Sequence, residues 1–253
     1  MDYMEITYEQ LGDWVKPESK IVISQEWFLS LMKDHKQPPN TKKPRTFYVC
    51  SYGGCGSKML SKALSDYGDV EHIHSRNLPE KLEYVGKNGG GKSYVEWFNG
   101  VKIPESEVEN YSVIYIYRNP VKAIFTQFTS HTHLQHLKID DNTKLIDVAN
   151  NLEDLYKIKE FHNNYTKENK NRNFKVYLIK YEDIFDNLNE ISKTLKIGKL
   201  NIDRRDEKIR SAKKDGRRGA EGVEDDQYIK ERLNILYKDL IDEQNNLKPI
   251  VEI

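Results

Sequence analysis

The sequence predicts an α/β fold with a mainly parallel central sheet flanked by helices. Three runs of β-forming residues carry this prediction: TFYVCS (46–51), SVIYIY (112–117) and FKVYLIK (174–180). Each run is followed by a segment whose apolar residues recur at helical spacing. Strands that alternate with helices pack as a parallel sheet with helices on its faces. We therefore predict one α/β domain over residues 46–253.

Residues 1–45 are predicted to form a helical lead-in to that domain. Their one amphipathic stretch, SQEWFLSLMKDH, begins with Ser24 as the predicted N-cap and closes near Pro38 and Pro39. The first ten residues lack the basic and apolar regions of a signal peptide, and no apolar run is long enough to cross a bilayer. We expect a soluble, cytoplasmic chain.

The remaining elements follow from the spacing of apolar residues. A helix is predicted from Ser57 and a short strand over 69–74, and RNP (118–120) starts a helix that runs to about Ser130. One long amphipathic helix is expected over residues 145–161, with its apolar side chains on a single face. A last helix is expected around 227–241.

The charge of the whole chain is balanced. Lys plus Arg number 40 and Asp plus Glu number 40, so neither nucleic acid nor an acidic membrane surface is expected as the main partner. Any anion site must then be a local cluster. The two cysteines, Cys50 and Cys55, suit reduced thiols and are too few for a zinc site.

Two glycine-rich segments compete as phosphate-binding loops. GKNGGGKS (86–93) fits the pattern G-x-x-x-x-G-K-[ST] and would make the protein an ATP-dependent kinase. Such a loop needs a strand before it and a helix after it, and the flanking segments here are short. SVIYIY is also followed by Arg118, where the corresponding kinase strand would end in a magnesium-binding aspartate. We favour a flexible turn for this segment.

The other segment, SYGGCGSKML (51–60), has the better context. A good strand precedes it and a good helix follows it. Gly53, Gly54 and Gly56 allow an anion to approach the backbone closely, and Ser57 and Lys58 fall in the first helical turn. The alternative is a tight strand-to-helix turn without a ligand.

Two further motifs follow in order, YRNPVKAIFT (117–126) and RRGAEG (217–222). Together the three segments resemble the sulfotransferases that use 3′-phosphoadenosine 5′-phosphosulfate (PAPS), over about residues 46 to 223. Arg118 and Thr126 have the spacing that this family uses for the 3′-phosphate. YED (181–183) is similar to a family segment whose tyrosine lies by the adenine.

The resemblance implies an α/β architecture related to P-loop nucleotide kinases and a function in sulfuryl transfer from PAPS to an acceptor hydroxyl, without a metal. The acceptor class stays open between a carbohydrate, a small alcohol and a tyrosyl peptide. The residues that the resemblance assigns to PAPS, or to its product PAP, are Tyr52, Gly53, Gly54, Cys55, Gly56, Ser57, Lys58, Met59, Arg118, Thr126, Tyr181, Arg217, Arg218 and Gly219.

The family also implies catalytic groups. Its early-loop lysine or arginine aligns with Gly53 or Gly54 and is missing, so we hypothesise that Lys58 supplies the charge. A non-catalytic nucleotide-binding protein is the alternative. The family's base follows the second strand, where DVEHIHSR (69–76) offers His74, with His72 in reserve and Arg76 as a nearby anion contact.

HTHLQH (131–136) offers His131, His133 and His136 as three metal ligands. No carboxylate or cysteine at ligand spacing completes the set, so an exposed helix end is the favoured interpretation. By its position in the family, the segment would instead line the acceptor pocket through His131 and His133.

Overall fold

A seven-stranded mixed sheet forms the centre of the molecule. The computed structural model describes residues 3–6, 21–24, 45–87, 95–128, 143–167, 169–202 and 226–253. The sheet order is β5-β6-β4-β3-β7-β8-β9, and β1 and β2 form a separate two-stranded sheet. The strands are β1 Tyr3–Ile6, β2 Ile21–Ser24, β3 Thr46–Cys50, β4 Asp69–Ile73, β5 Glu83–Lys87, β6 Val95–Lys102, β7 Tyr111–Tyr117, β8 Val176–Lys180 and β9 Ile250–Glu252.

The five middle strands of the large sheet are parallel. β3 pairs in parallel with β4 and β7, β4 with β6, and β7 with β8. The edge strands β5 and β9 run antiparallel to their neighbours. Every residue of β3 from Phe47 onward is fully buried, as expected for a strand covered on both faces. The α/β prediction with a mainly parallel sheet is therefore confirmed.

The α-helices lie in the connections from β3 to β4, from β7 to β8 and from β8 to β9. None of the helices in the described ranges has the length and apolar character needed to span a bilayer. Two short 3₁₀ helices, Glu105–Asn110 and Tyr181–Asp186, precede β7 and follow β8. The α-helices are α1 Ser57–Leu64, α2 Pro120–Phe128, α3 Leu145–Asn151, α4 Ile158–Thr166, α5 Leu188–Thr194, α6 Asp226–Leu236 and α7 Lys238–Asn246.

The prediction of one long helix through residues 145–161 is wrong. The helix is interrupted between α3 and α4, where Leu152 and Lys157 adopt positive φ angles of 51° and 53°. The Asp154 carboxylate accepts hydrogen bonds from the backbone N–H groups of Ile158 (3.1 Å) and Lys159 (3.0 Å). This carboxylate satisfies the first amides of α4, so a new helix starts there although the apolar spacing continues.

Other features also differ from the sequence prediction. The last predicted helix is divided at Tyr237 into α6 and α7, and it is followed by the unpredicted edge strand β9. β1 and β2 pair antiparallel within the region that was predicted only as a helical lead-in. Ser24, the predicted N-cap, is the last residue of β2, and residues 25–44 lie outside the described ranges.

The strand order fixes where a ligand can bind. The connection from β3 leads to β4, which lies on one side of β3. β7 lies on the other side of β3, and the connection from β7 leads away from β3 to β8. The connections therefore leave the carboxyl ends of β3 and β7 in opposite directions. In open α/β sheets, the crevice beyond such a pair of strand ends is the usual ligand site.

Candidate functional site

The connection from β3 to α1 is a glycine-rich loop at this crevice. Gly53, Gly54 and Gly56 have φ angles of 92°, 68° and 81°, which favour glycine. The Gly56 carbonyl accepts hydrogen bonds from the N–H groups of Met59 (3.0 Å) and Leu60 (3.1 Å), so α1 begins immediately after the loop. The strand–loop–helix arrangement predicted for this segment is confirmed, and it brings a helix N-terminus to the carboxyl ends of the parallel strands.

Two of these glycines are also required by close packing. A Cβ at Gly54 would lie 2.6 Å from the Ala123 carbonyl oxygen of α2, and one at Gly56 would lie 2.3 Å from the ring of Tyr181. The loop therefore touches both the helix after β7 and the segment after β8. The contact with α2 also explains why no basic side chain stands at position 54.

Tyr52 joins this loop to the end of β7. Its hydroxyl donates a hydrogen bond to the Arg118 carbonyl and accepts one from the Arg118 N–H (3.0 Å). Its ring packs edge-on against Tyr115 and Phe161, with centroid separations of 6.3 and 6.0 Å. Because Tyr52 is only 2% exposed, its contribution to the site is to hold the backbone of Arg118 in place.

Arg118 brings the predicted residues from three connections together. Its Nη1 donates to the Gly54 carbonyl (3.3 Å) and to the Thr126 hydroxyl (3.4 Å), both at long distances. Its guanidinium carbon lies 4.6 Å from the centre of the Tyr181 ring. The side chain is 22% exposed. The guanidinium is therefore partly desolvated and only weakly bonded, which suits it to receive an anion.

Glu182, which no sequence motif marks as a site residue, faces the same guanidinium. Its Oε1 accepts a hydrogen bond from the Asn119 N–H (3.2 Å) and lies 3.8 Å from Arg118 Nε. The Lys122 ammonium is 4.0 Å from the same oxygen. The only sequence signal for this contact is the position of Glu182 directly after a strand, beside Tyr181.

His74 lies at the carboxyl ends of the same parallel strands, one residue beyond β4. Its Nδ1 is 2.7 Å from the Ser51 carbonyl oxygen. A carbonyl can only accept, so Nδ1 carries the proton and Nε2 of the neutral ring has a lone pair. The ring of His72 packs edge-on against it at 4.4 Å, as strand alternation predicts. His74 thus has the tautomer of a general base acting through Nε2.

The segment after His74 is tied to α4. The Tyr165 hydroxyl donates to the Ser75 carbonyl (2.9 Å), and the Asn164 amide donates to the Arg76 carbonyl (3.2 Å). Arg76 is half-buried. These bonds fix the backbone of the strand end that carries His74.

The other loop residues differ in exposure. Lys58 is exposed on the first turn of α1, whereas its neighbours Ser57 and Met59 are buried. Cys55 is fully buried, and its thiol donates to the Gly53 carbonyl (3.0 Å). Burial raises the pKa of the Cys55 thiol, and it raises that of Cys50 to about 12. Both cysteines are free, as the sequence predicts, and both are neutral thiols at neutral pH.

Several predicted residues lie outside the described ranges. These are the basic loop residues Arg217, Arg218 and Gly219 and the histidines His131, His133 and His136. Among the residues that the structure does describe, no group of three or more His, Cys, Asp or Glu side chains could hold a metal ion.

The competing segment GKNGGGKS joins two antiparallel strands. Gly86 and Lys87 end β5 and pair with Glu96 and Val95 of β6, while residues 88–93 lie outside the described ranges. The next described element is thus a strand. A Cβ at Gly86 would lie 2.3 Å from the Phe98 ring, which gives the first glycine of this segment a packing role.

No protein-family model, no curated protein and no solved structure matches the chain. The function is therefore inferred from the loop, Arg118 and His74, together with the motifs that carry them.

Proposed function

We propose that the protein is a PAPS-dependent sulfotransferase with an architecture related to P-loop nucleotide kinases. The observation that carries the proposal is the burial and the hydrogen bonding of the Arg118 guanidinium. Its guanidinium is partly buried, weakly bonded, in contact with the glycine-rich loop, and eight residues before the hydroxyl of Thr126 that it touches. That combination supplies anion-binding groups from two strand ends at one crevice.

The groups at this edge fit a nucleotide with an anion at each end. The amides of the loop and of the start of α1 suit the 5′-phosphosulfate, and Arg118 with Thr126 suits the 3′-phosphate. Tyr181 fits with a restriction. Tyr181 is 9% exposed and its ring is covered on one face by Arg118, so it would meet the adenine with its edge or its hydroxyl.

PAPS supplies a sulfuryl group and the leaving group PAP. The chain supplies the base: His74 Nε2 accepts the proton of the acceptor hydroxyl, while the Ser51 carbonyl holds Nδ1–H and keeps the ring oriented. The loop amides, with the exposed ammonium of Lys58 on α1, stabilise the negative charge that develops on the leaving oxygen. The acceptor is a small-molecule or glycan hydroxyl or a tyrosyl side chain.

An ATP-dependent kinase that uses residues 86–93 is the second candidate, and it has less support. A phosphate loop relies on the amides and the dipole of the helix that follows it. Here the loop lies between β5 and β6, which are antiparallel. A non-catalytic nucleotide-binding protein would use the same Arg118 site without transfer, so sulfuryl transfer from PAPS distinguishes it from the sulfotransferase.

Binding of PAP tests the site. A ligand that binds only the folded protein raises its melting temperature. We expect PAP to do so without magnesium, and Arg118→Ala to abolish the shift. Arg172→Ala is the matched control, because Arg172 is also half-buried against an aromatic ring but precedes the amino end of β8. Stabilisation by Mg-ATP alone, lost in Lys92→Ala, would reject the sulfotransferase proposal in favour of the kinase.

Transfer of sulfuryl from labelled PAPS to a panel of phenols, sugars and tyrosyl peptides tests the base. In His74→Asn, the side-chain amide can still donate to the Ser51 carbonyl but has no basic nitrogen. We expect transfer to fall roughly 100- to 10,000-fold with PAP affinity unchanged. Undiminished transfer in this variant would exclude His74 as the base. PAP binding without any transfer by the wild type would favour the non-catalytic alternative.

A further inference from the structure

The carboxylate of Glu182 lies among groups that would attract any anion. One of its oxygens accepts the Asn119 N–H at the start of α2 and lies near the cations of Arg118 and Lys122, at 3.8 and 4.0 Å. Asn119 itself caps α2, because its side-chain oxygen accepts the Lys122 N–H (3.2 Å). A helix N-terminus with two cations is a favourable place for negative charge, and here a side chain of the protein occupies it.

The fit between Glu182 and Arg118 is loose. The separation of 3.8 Å is too long for a hydrogen bond, and neither Arg118 Nε nor Glu182 Oε2 has a hydrogen-bond partner among the described residues, although both atoms are buried. A carboxylate selected only to fix the arginine would make the forked, two-bond contact that this pair allows. The carboxylate thus neutralises charge without saturating the guanidinium.

We infer that Glu182 is an internal counter-ion that competes with the ligand phosphate for Arg118 and thereby weakens nucleotide binding and speeds product release. The inference rests on the proposed function for the identity of the phosphate as that of PAP. The negative charge is separable from the structural bond, because an uncharged amide oxygen at the same position can accept the Asn119 N–H equally well.

Glu182→Gln isolates the charge. Titration calorimetry of PAP into the full chain should give a dissociation constant about 3- to 10-fold lower in Glu182→Gln than in the wild type, because a nearby like charge has been removed. A merely structural role predicts the opposite sign, since loosening Arg118 weakens binding. Added salt should narrow the difference between the two proteins.

Asp183→Asn is the matched control. It removes the same charge from the next residue, whose carboxylate pairs with Lys180 (3.6 Å) rather than with Arg118. We expect it to change PAP affinity by no more than about twofold. Thermal unfolding of the three ligand-free proteins checks that each is folded.

The outcomes separate this inference from the proposed function. Equal or weaker PAP binding by Glu182→Gln overturns the role of Glu182, while wild-type binding of PAP still supports the sulfotransferase proposal. If the wild type does not bind PAP, the proposed function fails, and inorganic pyrophosphate becomes the probe. Tighter pyrophosphate binding by Glu182→Gln then upholds the competing charge, whereas equal binding, or none by either protein, overturns it.

Discussion

Two segments of this chain, residues 51–58 and 86–93, have similar glycine-rich sequences in different structural contexts. The first lies between a buried parallel strand and α1, beside the ends of β7 and β8. The second begins at the end of an edge strand and leads to an antiparallel partner. The second fits the familiar phosphate-loop pattern better, yet the first has the helix N-terminus and the neighbouring arginine that an anion needs.

The glycines of the two segments also serve different purposes. Gly54 has a positive φ and lies against the backbone of α2, so its requirement is conformational and steric together. Gly86 lies against the ring of Phe98, and an added methyl group would have to displace only that side chain. A glycine-rich pattern thus indicates a binding loop only where the tertiary structure brings other groups to it.

The largest expected effect comes from Gly54→Ala. Ala at positive φ costs about 1 to 2 kcal/mol, and the clash with the Ala123 carbonyl raises the total loss of unfolding free energy to roughly 3 to 4 kcal/mol. Urea denaturation measures this loss. Gly86→Ala should cost only about 1 to 2 kcal/mol and leave the PAP-induced shift in melting temperature unchanged. Equal losses in both variants would remove the distinction between the two segments.

Acid should destabilise the folded protein at His162, which packs in the aromatic cluster of Tyr115, Phe161 and Tyr52. His162 is fully buried beside Tyr115, and burial lowers its pKa to about 4 despite Glu243 at 3.6 Å from its Nε2. Between pH 6.5 and 4 the unfolded chain therefore binds a proton that the folded protein does not. The stability is complete above pH 6.5 and falls by about 3 kcal/mol as the pH drops to 4.

Urea denaturation between pH 7 and 4 measures this loss in the wild type and in His162→Gln. The glutamine carbonyl can accept from the Tyr115 hydroxyl, which lies 3.1 Å from His162 Nδ1, but it does not titrate. The pH dependence of the variant should be shallower by that amount. Identical slopes for the two proteins would show that His162 is not the titrating group.

A smaller effect should follow from Tyr52→Phe, which removes the hydroxyl that links the first segment to Arg118. We expect a loss of roughly 1 to 2 kcal/mol in unfolding free energy and weaker PAP binding. Tyr48→Phe, on the preceding strand β3, is the control, because the buried Tyr48 hydroxyl has no hydrogen-bond partner within the described residues. This control should be neutral or slightly stabilising, and a similar loss in both variants would contradict the linking role of Tyr52.

The smallest effect is expected from Lys92→Ala in the second segment. Its unfolding free energy should stay within about 0.5 kcal/mol of the wild type, and its stabilisation by PAP should be unchanged. Differential scanning fluorimetry with PAP and with Mg-ATP measures both responses. Loss of a nucleotide-induced shift in this variant would transfer the site to residues 86–93.

Much of the fold was readable from neighbours in the sequence. The parallel strands β3, β7 and β8 were predicted from their composition, and α1 and α2 from their apolar spacing, because strand and helix preferences depend on nearby residues. The break between α3 and α4 was missed, because Asp154 caps a new helix without disturbing the apolar pattern. β9 was missed because a three-residue edge strand gives too little pattern to detect.

The amino-acid sequence was enough to indicate the α/β class, the glycine-rich loop after β3 and the eight-residue spacing from Arg118 to Thr126. The folded structure was needed to show that Tyr52 holds Arg118, that Ser51 fixes the tautomer of His74, and that Glu182 faces the guanidinium. These contacts join residues 66, 23 and 64 positions apart. Local propensities carry no information on such pairs, because the strand order of the sheet brings them together.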